Sequence, residues 1–248
     1  MSCHDYLRLM SRWRAVARAC GLRLEVIAKV DGFSVYCLQS TALVGQEGVY
    51  VSAGIHGDEP ASCAGLISWA EHNAPVLHNL PLAIFPCLNP WGLVENSRKD
   101  AKGNDINRMF HLQTHPTVAG IFKVCEGKKI GSAILLHEDY DAHGIYLYEH
   151  SRGRACGERI LEAAGTFLRR DLRNKIDGRK AHDGIVRPRL NMQRFQKSGH
   201  PEAIWLHLMG CKRTITFETP SESDLQYRSE SHAAAISALV REHAGDES

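Results

Sequence analysis

A chain of 248 residues, 44% hydrophobic and 23% charged, has the make-up of an ordinary globular protein with room for a substantial core. A formal net charge of +2 gives no argument for nucleic acid or an acidic membrane as partner, and no stretch approaches the length that spans a bilayer. Eight scattered cysteines, none in a C-x-x-C pair, exclude zinc-finger spacing and suggest no disulfide framework, so a reducing, cytoplasmic setting is the simplest reading.

The opening MSCHDYLRLMSRWRAVARAC is basic and amphipathic without the continuous apolar core of a secretory signal. It predicts a helix over residues 4–20. Strands follow at 22–29 and 33–40, joined at Asp31-Gly32, a good hairpin turn. A strand over 49–55 gives way to His56-Gly57-Asp58-Glu59 and then to a helix over 61–72, whose apolar face is Leu66, Ile67, Trp69 and Ala70. The run LPLAIFPCL is a buried-type strand over 80–88, stopped by Asn89-Pro90-Trp91-Gly92. Residues 94–110 are polar and glycine-containing, an ordered loop.

A helix over 118–126 precedes a buried-type strand over 131–136, which ends at His137. Residues 145–148 alternate as a strand does, and 152–170 predict a helix. From 171 to 201 the chain turns basic and loop-like; interspersed Asp and the lack of an aromatic platform make this a solvated loop, not a nucleic-acid surface. A strand over 213–217 ends at Glu218, and an Ala-rich helix covers 231–243. Short apolar strands alternating with helices imply one α/β domain over 1–248 with a mostly parallel sheet covered on both faces. Fourteen histidines identify no site by number alone; His78, His111, His115, His143, His150 and His232 read as surface or helix-end residues.

Three strands end on residues that carry chemistry: His56 and Glu59, His137, and Glu218. In a parallel sheet these ends share one edge, where sites of open α/β folds are built. Imidazole and carboxylate are good zinc ligands, and two His with one carboxylate leave an open position for water. Gly57 would let the backbone turn tightly between His56 and Glu59. A further carboxylate that is not a ligand can move a proton from the water to a leaving amine, and Glu218 fits, arriving from a separate strand. In the loop NSRKDAKGNDINRMF, Arg98, Asn107 and Arg108 offer donors for a carboxylate or a developing oxyanion.

H56-G-D-E59, R98 followed by G-N-D-I-N107-R108-M-F, L-L-H137 and T-I-T-F-E218 together resemble the zinc carboxypeptidase (M14) superfamily over about residues 49–219. The resemblance implies a mixed, largely parallel eight-stranded sheet sandwiched by helices. It implies one zinc ion on His56, Glu59 and His137. It also implies Arg98 polarising the scissile carbonyl, Asn107 and Arg108 holding a terminal carboxylate, and Glu218 as general base and acid. The short chain looks like the compact bacterial branch, near murein-peptide amidases and the succinylglutamate desuccinylase/aspartoacylase group.

The expected activity is metallocarboxypeptidase hydrolysis of a C-terminal peptide or peptide-like amide by metal-activated water. The alternative is an N-acyl amino acid deacylase of the succinylglutamate desuccinylase/aspartoacylase type, and a non-catalytic binding protein on the same fold is the third reading. Either enzyme would take a substrate with a free carboxylate. The family's Asp near the third ligand is absent. The acidic run after it leaves open a second metal near Glu138, Asp139 and Asp141, a hydrogen-bonded shell being the simpler role. Tyr146 and Tyr148 are candidates for the family's substrate-facing Tyr.

Overall fold

Helix α1 (Tyr6–Cys20) starts where the Asp5 carboxylate accepts from the Arg8 N–H and stops at Gly21, whose φ of 67° turns its N–H back to the Ala17 and Arg18 carbonyls. β1 (Leu24–Val30) and β2 (Phe33–Gln39) form the expected hairpin, with Asp31 and Gly32 both at positive φ. β3 (Gly48–Ser52), α2 (Pro60–Asn73), β4 (Leu82–Phe85), the short α3 (Pro90–Glu95), α4 (Pro116–Cys125) and β5 (Ile130–Asp139) follow. Next come β6 (Tyr146–Ser151) and α5 (Gly157–Ala164), which stops at Gly165, well short of the expected 170. The stretch expected to be loop holds β7 (Lys175–Ile176), β8 (Arg179–His182), β9 (Ile185–Val186) and α6 (Met192–Ser198). α7 (Glu202–Leu208), β10 (Arg213–Pro220) and α8 (Leu225–Ala244) complete the chain. This computed structural model describes residues 3–245, apart from the side chains of Arg194 and Gln196, so the extreme ends of the expected 1–248 span lie outside the described residues.

The sheet has ten strands in the order β1-β2-β4-β3-β5-β10-β6-β9-β8-β7, two more than expected. The class is the expected mixed α/β architecture. Parallel pairing is concentrated at the centre, along β4-β3-β5-β10, and recurs once between β6 and β9; the flanking pairs are antiparallel. Strands of two and four residues within a basic stretch are too short for alternation to reveal.

Period-two alternation sorts the strand side chains between two cores. Val49, Val51, Ile134, Leu136, Ile215 and Phe217 pack on one face beneath α1, α2, α5 and α8. Tyr50, Ala83, Phe85, Ala133 and Leu135 pack on the other, against α4 and α7. The parallel pair β5 and β10 is in register with Leu136 beside Phe217 and His137 beside Glu218. Since Leu136 and Phe217 point into the first core, His137 and Glu218 turn together onto the second face. Both lie inside their strands, which run on to Asp139 and Pro220 rather than ending at these residues.

Of the histidines expected at the surface or a helix end, His115 does stand at a helix end, as the N-cap of α4, but is only 5% exposed, and His232 lies within α8 at 0% exposed. His115 meets the Asp100 carboxylate at 3.2 Å and His232 meets the Thr219 hydroxyl at 3.2 Å.

Candidate functional site

The site begins where β3 runs out. Gly54 takes a φ of 62°, and a Cβ there would sit 2.5 Å from the Cys63 sulfur. Gly57 is needed for a different reason from the expected tight turn. An added Cβ would lie 1.8 Å from the Gly92 carbonyl carbon, and its N–H donates to the Ser97 carbonyl at 2.9 Å. The close approach draws the loop that carries Arg98 against the His56 segment. Glu59 precedes α2 without capping it by its side chain. Instead the Ser62 hydroxyl donates to the Glu59 carbonyl at 2.6 Å and accepts from the Gly54 N–H at 3.2 Å, locking the turn.

The Glu59 side chain is thereby free to face two imidazoles. Its Oε1 lies 2.6 Å from His56 Nδ1 and its Oε2 2.8 Å from His137 Nδ1. His56, Glu59 and His137 are 3%, 4% and 2% exposed, so the H-x-x-E pair lies in the interior. Burial would push Glu59 up, but the imidazoles of His56 and His137 outweigh it and hold the carboxyl well below the usual range. Two imidazole nitrogens and one carboxylate oxygen lie within 4.8 Å of one another, the one group among the described residues that could hold a metal ion. Hard and borderline donors in this number suit zinc and leave a position open. His137 Nε2 is buried without a hydrogen-bond partner.

The cations gather beside this group. Arg98 places Nη1 3.2 Å from His56 Nδ1 and 3.7 Å from Glu59 Oε1, while its Nη2 donates to Asp105 Oδ2 at 3.1 Å. Asp105, absent from the sequence-derived set although it stands inside G-N-D-I-N, also approaches His56 Nε2 to 3.3 Å. Burial opposes its ionisation, but His56, Arg98 and Arg108 hold the Asp105 carboxyl well below its ordinary value. Asn107 Oδ1 accepts from the Glu202 N–H at 2.9 Å, so its amide anchors α7. Arg108 donates to the Asn107 carbonyl at 2.8 Å.

Glu218 stands in register between His137 on β5 and Tyr146 on β6. Burial first, and then Glu59, Asp139 and Asp177, push its carboxyl up to about 8 against the pull of His137. All seven sequence-predicted residues open on one cavity of ≈ 460 Å³. Its remaining wall comes from Tyr146, Tyr148 and His150 of β6 and from Asp177 and Arg179 of the β7–β8 hairpin. His150 therefore lines the cavity instead of the surface, while His143 is exposed. The alternation at 146, 148 and 150 was the available signal for the β6 face.

In the acidic run after His137, the Glu138 and Asp139 carboxylates already have partners. Glu138 accepts from the Ala61 N–H at 2.6 Å and pairs with Arg228 of α8, and Asp139 accepts from the Tyr146 hydroxyl at 2.9 Å. Asp139 Oδ1 also accepts from the Asp141 backbone N–H at 3.0 Å.

A family model, the succinylglutamate desuccinylase/aspartoacylase catalytic domain, matches residues 46–147. The structure superposes on a metallo-carboxypeptidase from Burkholderia cenocepacia with a TM-score of 0.72 at 14% identity, covering 98% of this chain and 70% of that one. The chain is built on the metallo-carboxypeptidase fold. The murein-tripeptide amidase MpaA from Escherichia coli O157 shares the fold at a TM-score of 0.64 and 16% identity, over 88% of this chain and 91% of that one. A metallo-carboxypeptidase from Pseudomonas aeruginosa, solved with (2-guanidinoethylmercapto)succinic acid, aligns at 0.68 and 16% identity over 94% and 68% of the two chains. No curated protein matches the chain by sequence. Among the described residues no helix is long and apolar enough to cross a membrane.

Proposed function

We propose that this chain is a single-domain, zinc-dependent hydrolase that removes the residue at the carboxyl end of a peptide or peptide-like amide. The observation that carries the reading is the convergence of His56, Glu59, His137 and Glu218 with Arg98, Asn107 and Arg108 on one cavity. His56, Glu59 and His137 would hold the ion, which when bound supplies Lewis acidity and lowers the pKa of water. Arg108, with the Asn107 amide, takes the substrate's terminal carboxylate and so fixes which bond faces Glu218. Glu218, whose carboxyl a cation held beside it would bring back down from about 8, accepts the proton of the attacking water and returns it to the leaving amine nitrogen. Arg98, steadied by Asp105, faces the oxygen on which negative charge develops. The eight cysteines are all free, which supports a reducing, cytoplasmic setting.

The family match over residues 46–147 favours a second reading on the same machinery, the removal of an acyl group from an amino acid. Kinetics on short peptides, a murein tripeptide and N-acyl amino acids separate the two. Glu218→Gln should retain zinc and lower kcat by roughly 10²–10⁴-fold on the preferred substrate. Full activity in that variant overturns the assignment of Glu218. Protein that takes up no stoichiometric zinc overturns the metal and returns the chain to the binding-protein reading.

A further inference from the structure

Glu202, the first residue of α7, is 0% exposed. Its Oε1 accepts from the Tyr50 hydroxyl at 2.5 Å, and its Oε2 has no hydrogen-bond partner. Burial pushes the carboxyl up from its ordinary value, against the pull of the Tyr50 hydroxyl and His137. Burying such a group costs stability that an apolar side chain of similar size would not. Glu202 does not line the cavity and has no part in the reading above.

What it touches is the segment that carries Asn107 and Arg108. The Phe110 N–H donates to the His200 carbonyl at 3.1 Å, and Met109 bridges His200 in parallel. Gly199, at a φ of 77°, comes so close that an added Cβ would lie 2.0 Å from the Arg108 carbonyl oxygen. The Glu202 N–H closes the set on Asn107 Oδ1 at 2.9 Å. A backbone N–H can only donate, so this bond fixes which end of the amide is which. The oxygen faces α7, and the Nδ2 donors are left for the cavity that Asn107 lines. Asn107 and Arg108 therefore ride with the start of α7.

The start of α7 is in turn held to the sheet. Tyr50 is 0% exposed on β3, which is paired on both sides, and its ring centre lies 4.7 Å from that of Phe85. It meets α7 twice: edge-on at Trp205, 6.4 Å between ring centres, and through its hydroxyl at Glu202. The ring contact secures the middle of the helix, and the hydroxyl secures its first residue. We propose that Glu202 is a positioning residue: bonded to Tyr50, it fixes the first turn of α7 on β3, and through its own N–H it aims the Asn107 amide at the substrate's terminal carboxylate, a role that rests on the carboxyl-end reading of the site.

The test compares Glu202→Leu, Tyr50→Phe and Glu202→Gln in the zinc-loaded protein, by hydrogen exchange of the amide at position 202 and by kinetics on the best-cleaved of a series of short peptides. Glu202→Leu keeps an apolar filling and the Trp205 contact but loses the bond, so that amide should exchange faster. KM should rise roughly tenfold, the worth of one hydrogen bond, with kcat within about threefold and zinc affinity unchanged, the pattern of lost substrate binding. Tyr50→Phe should do the same from the other partner. Glu202→Gln, which offers the hydroxyl an acceptor of the same shape, should restore most of both. Unchanged exchange in Glu202→Leu and Tyr50→Phe, a kcat that falls as far as kcat/KM, a loss of zinc affinity, or no rescue in Glu202→Gln each overturn the proposal. Failure of the underlying reading looks different: exchange rises in Glu202→Leu and Tyr50→Phe and is restored in Glu202→Gln, yet the loaded wild type cleaves no peptide with a free carboxyl end.

Discussion

On the β3–β5–β10 side of the cavity, His56, Glu59 and His137 are 3%, 4% and 2% exposed and bonded to one another. On the hairpin side, Asp177 is exposed, Arg179 is half-buried, and one hydroxyl–carboxylate contact from Tyr148 ties the turn down. The first wall hangs on the central parallel strands with a hydrophobic core directly behind it. The second stands on strands of two and four residues near the sheet's margin. Chemistry that tolerates little displacement sits on the over-determined wall, and the hairpin groups that finish the cavity sit on the one that sequence change can reshape cheaply. Perturbing each wall separately is the way to break this division.

The largest effect belongs to Glu59. In Glu59→Gln the two imidazoles lose the carboxylate that they share, and zinc affinity measured by chelator competition should fall by more than the roughly 10–100-fold typical of an outer partner. Asp105→Asn, which removes only the charge beside His56 Nε2 and Arg98, should fall within that 10–100-fold range. Unchanged affinity in both variants would break the assignment of this wall. Behind it, Leu136→Ala opens the core next to His137 and should destabilise the fold by about 2–5 kcal/mol in denaturant titration.

How much of this was legible in the sequence follows from length and separation. The ten-residue β5 and eight-residue β10 are long enough for alternation to place His137 and Glu218 on one face. Their apolar neighbours also declared the core. The β7–β8 hairpin was not legible, although Asp177-Gly178 is the same turn pair as Asp31-Gly32, because no apolar run flanks it. Contacts across long separations leave no local trace: Tyr148 to Asp177 spans 29 residues and Arg228 to Glu138 spans 90. Gly57 was singled out for its turn, but its reason lies in the backbone of Gly92, a fact of packing. Polarity alone does not reveal the burial of the histidines: His115 holds the expected helix end but lies inside, as His232 does, and His150 lines the cavity.

Acid should expose the two walls in a different way. Burial leads in lowering His150 to about 4 and His232 to about 3, whereas an unfolded histidine titrates near 6.5. Below that value the unfolded chain binds protons that the folded chain refuses. The stability contribution is therefore complete above about pH 6.5 and is lost progressively as pH falls toward 4, at no more than about 1.4 kcal/mol per pH unit for each residue. Arg179 is one of the groups that lower His150, so Arg179→Gln should flatten the decline between pH 6.5 and 4. A slope identical to that of the wild type would show that the hairpin does not reach His150.

The smallest effect sharpens the comparison most. Tyr148→Phe keeps the ring under Arg179 and removes the bond to Asp177, an exposed contact whose net worth is about 0.5–1.5 kcal/mol at most. Global stability should move by no more than that, while backbone amides of the β7–β8 hairpin should exchange measurably faster, because local opening now costs less. Zinc affinity should not change, since no hydrogen bond joins Tyr148 to His56, Glu59 or His137 among the described residues. If zinc affinity instead falls together with hairpin protection, the two walls are one cooperative unit, and the freedom assigned to the hairpin is gone.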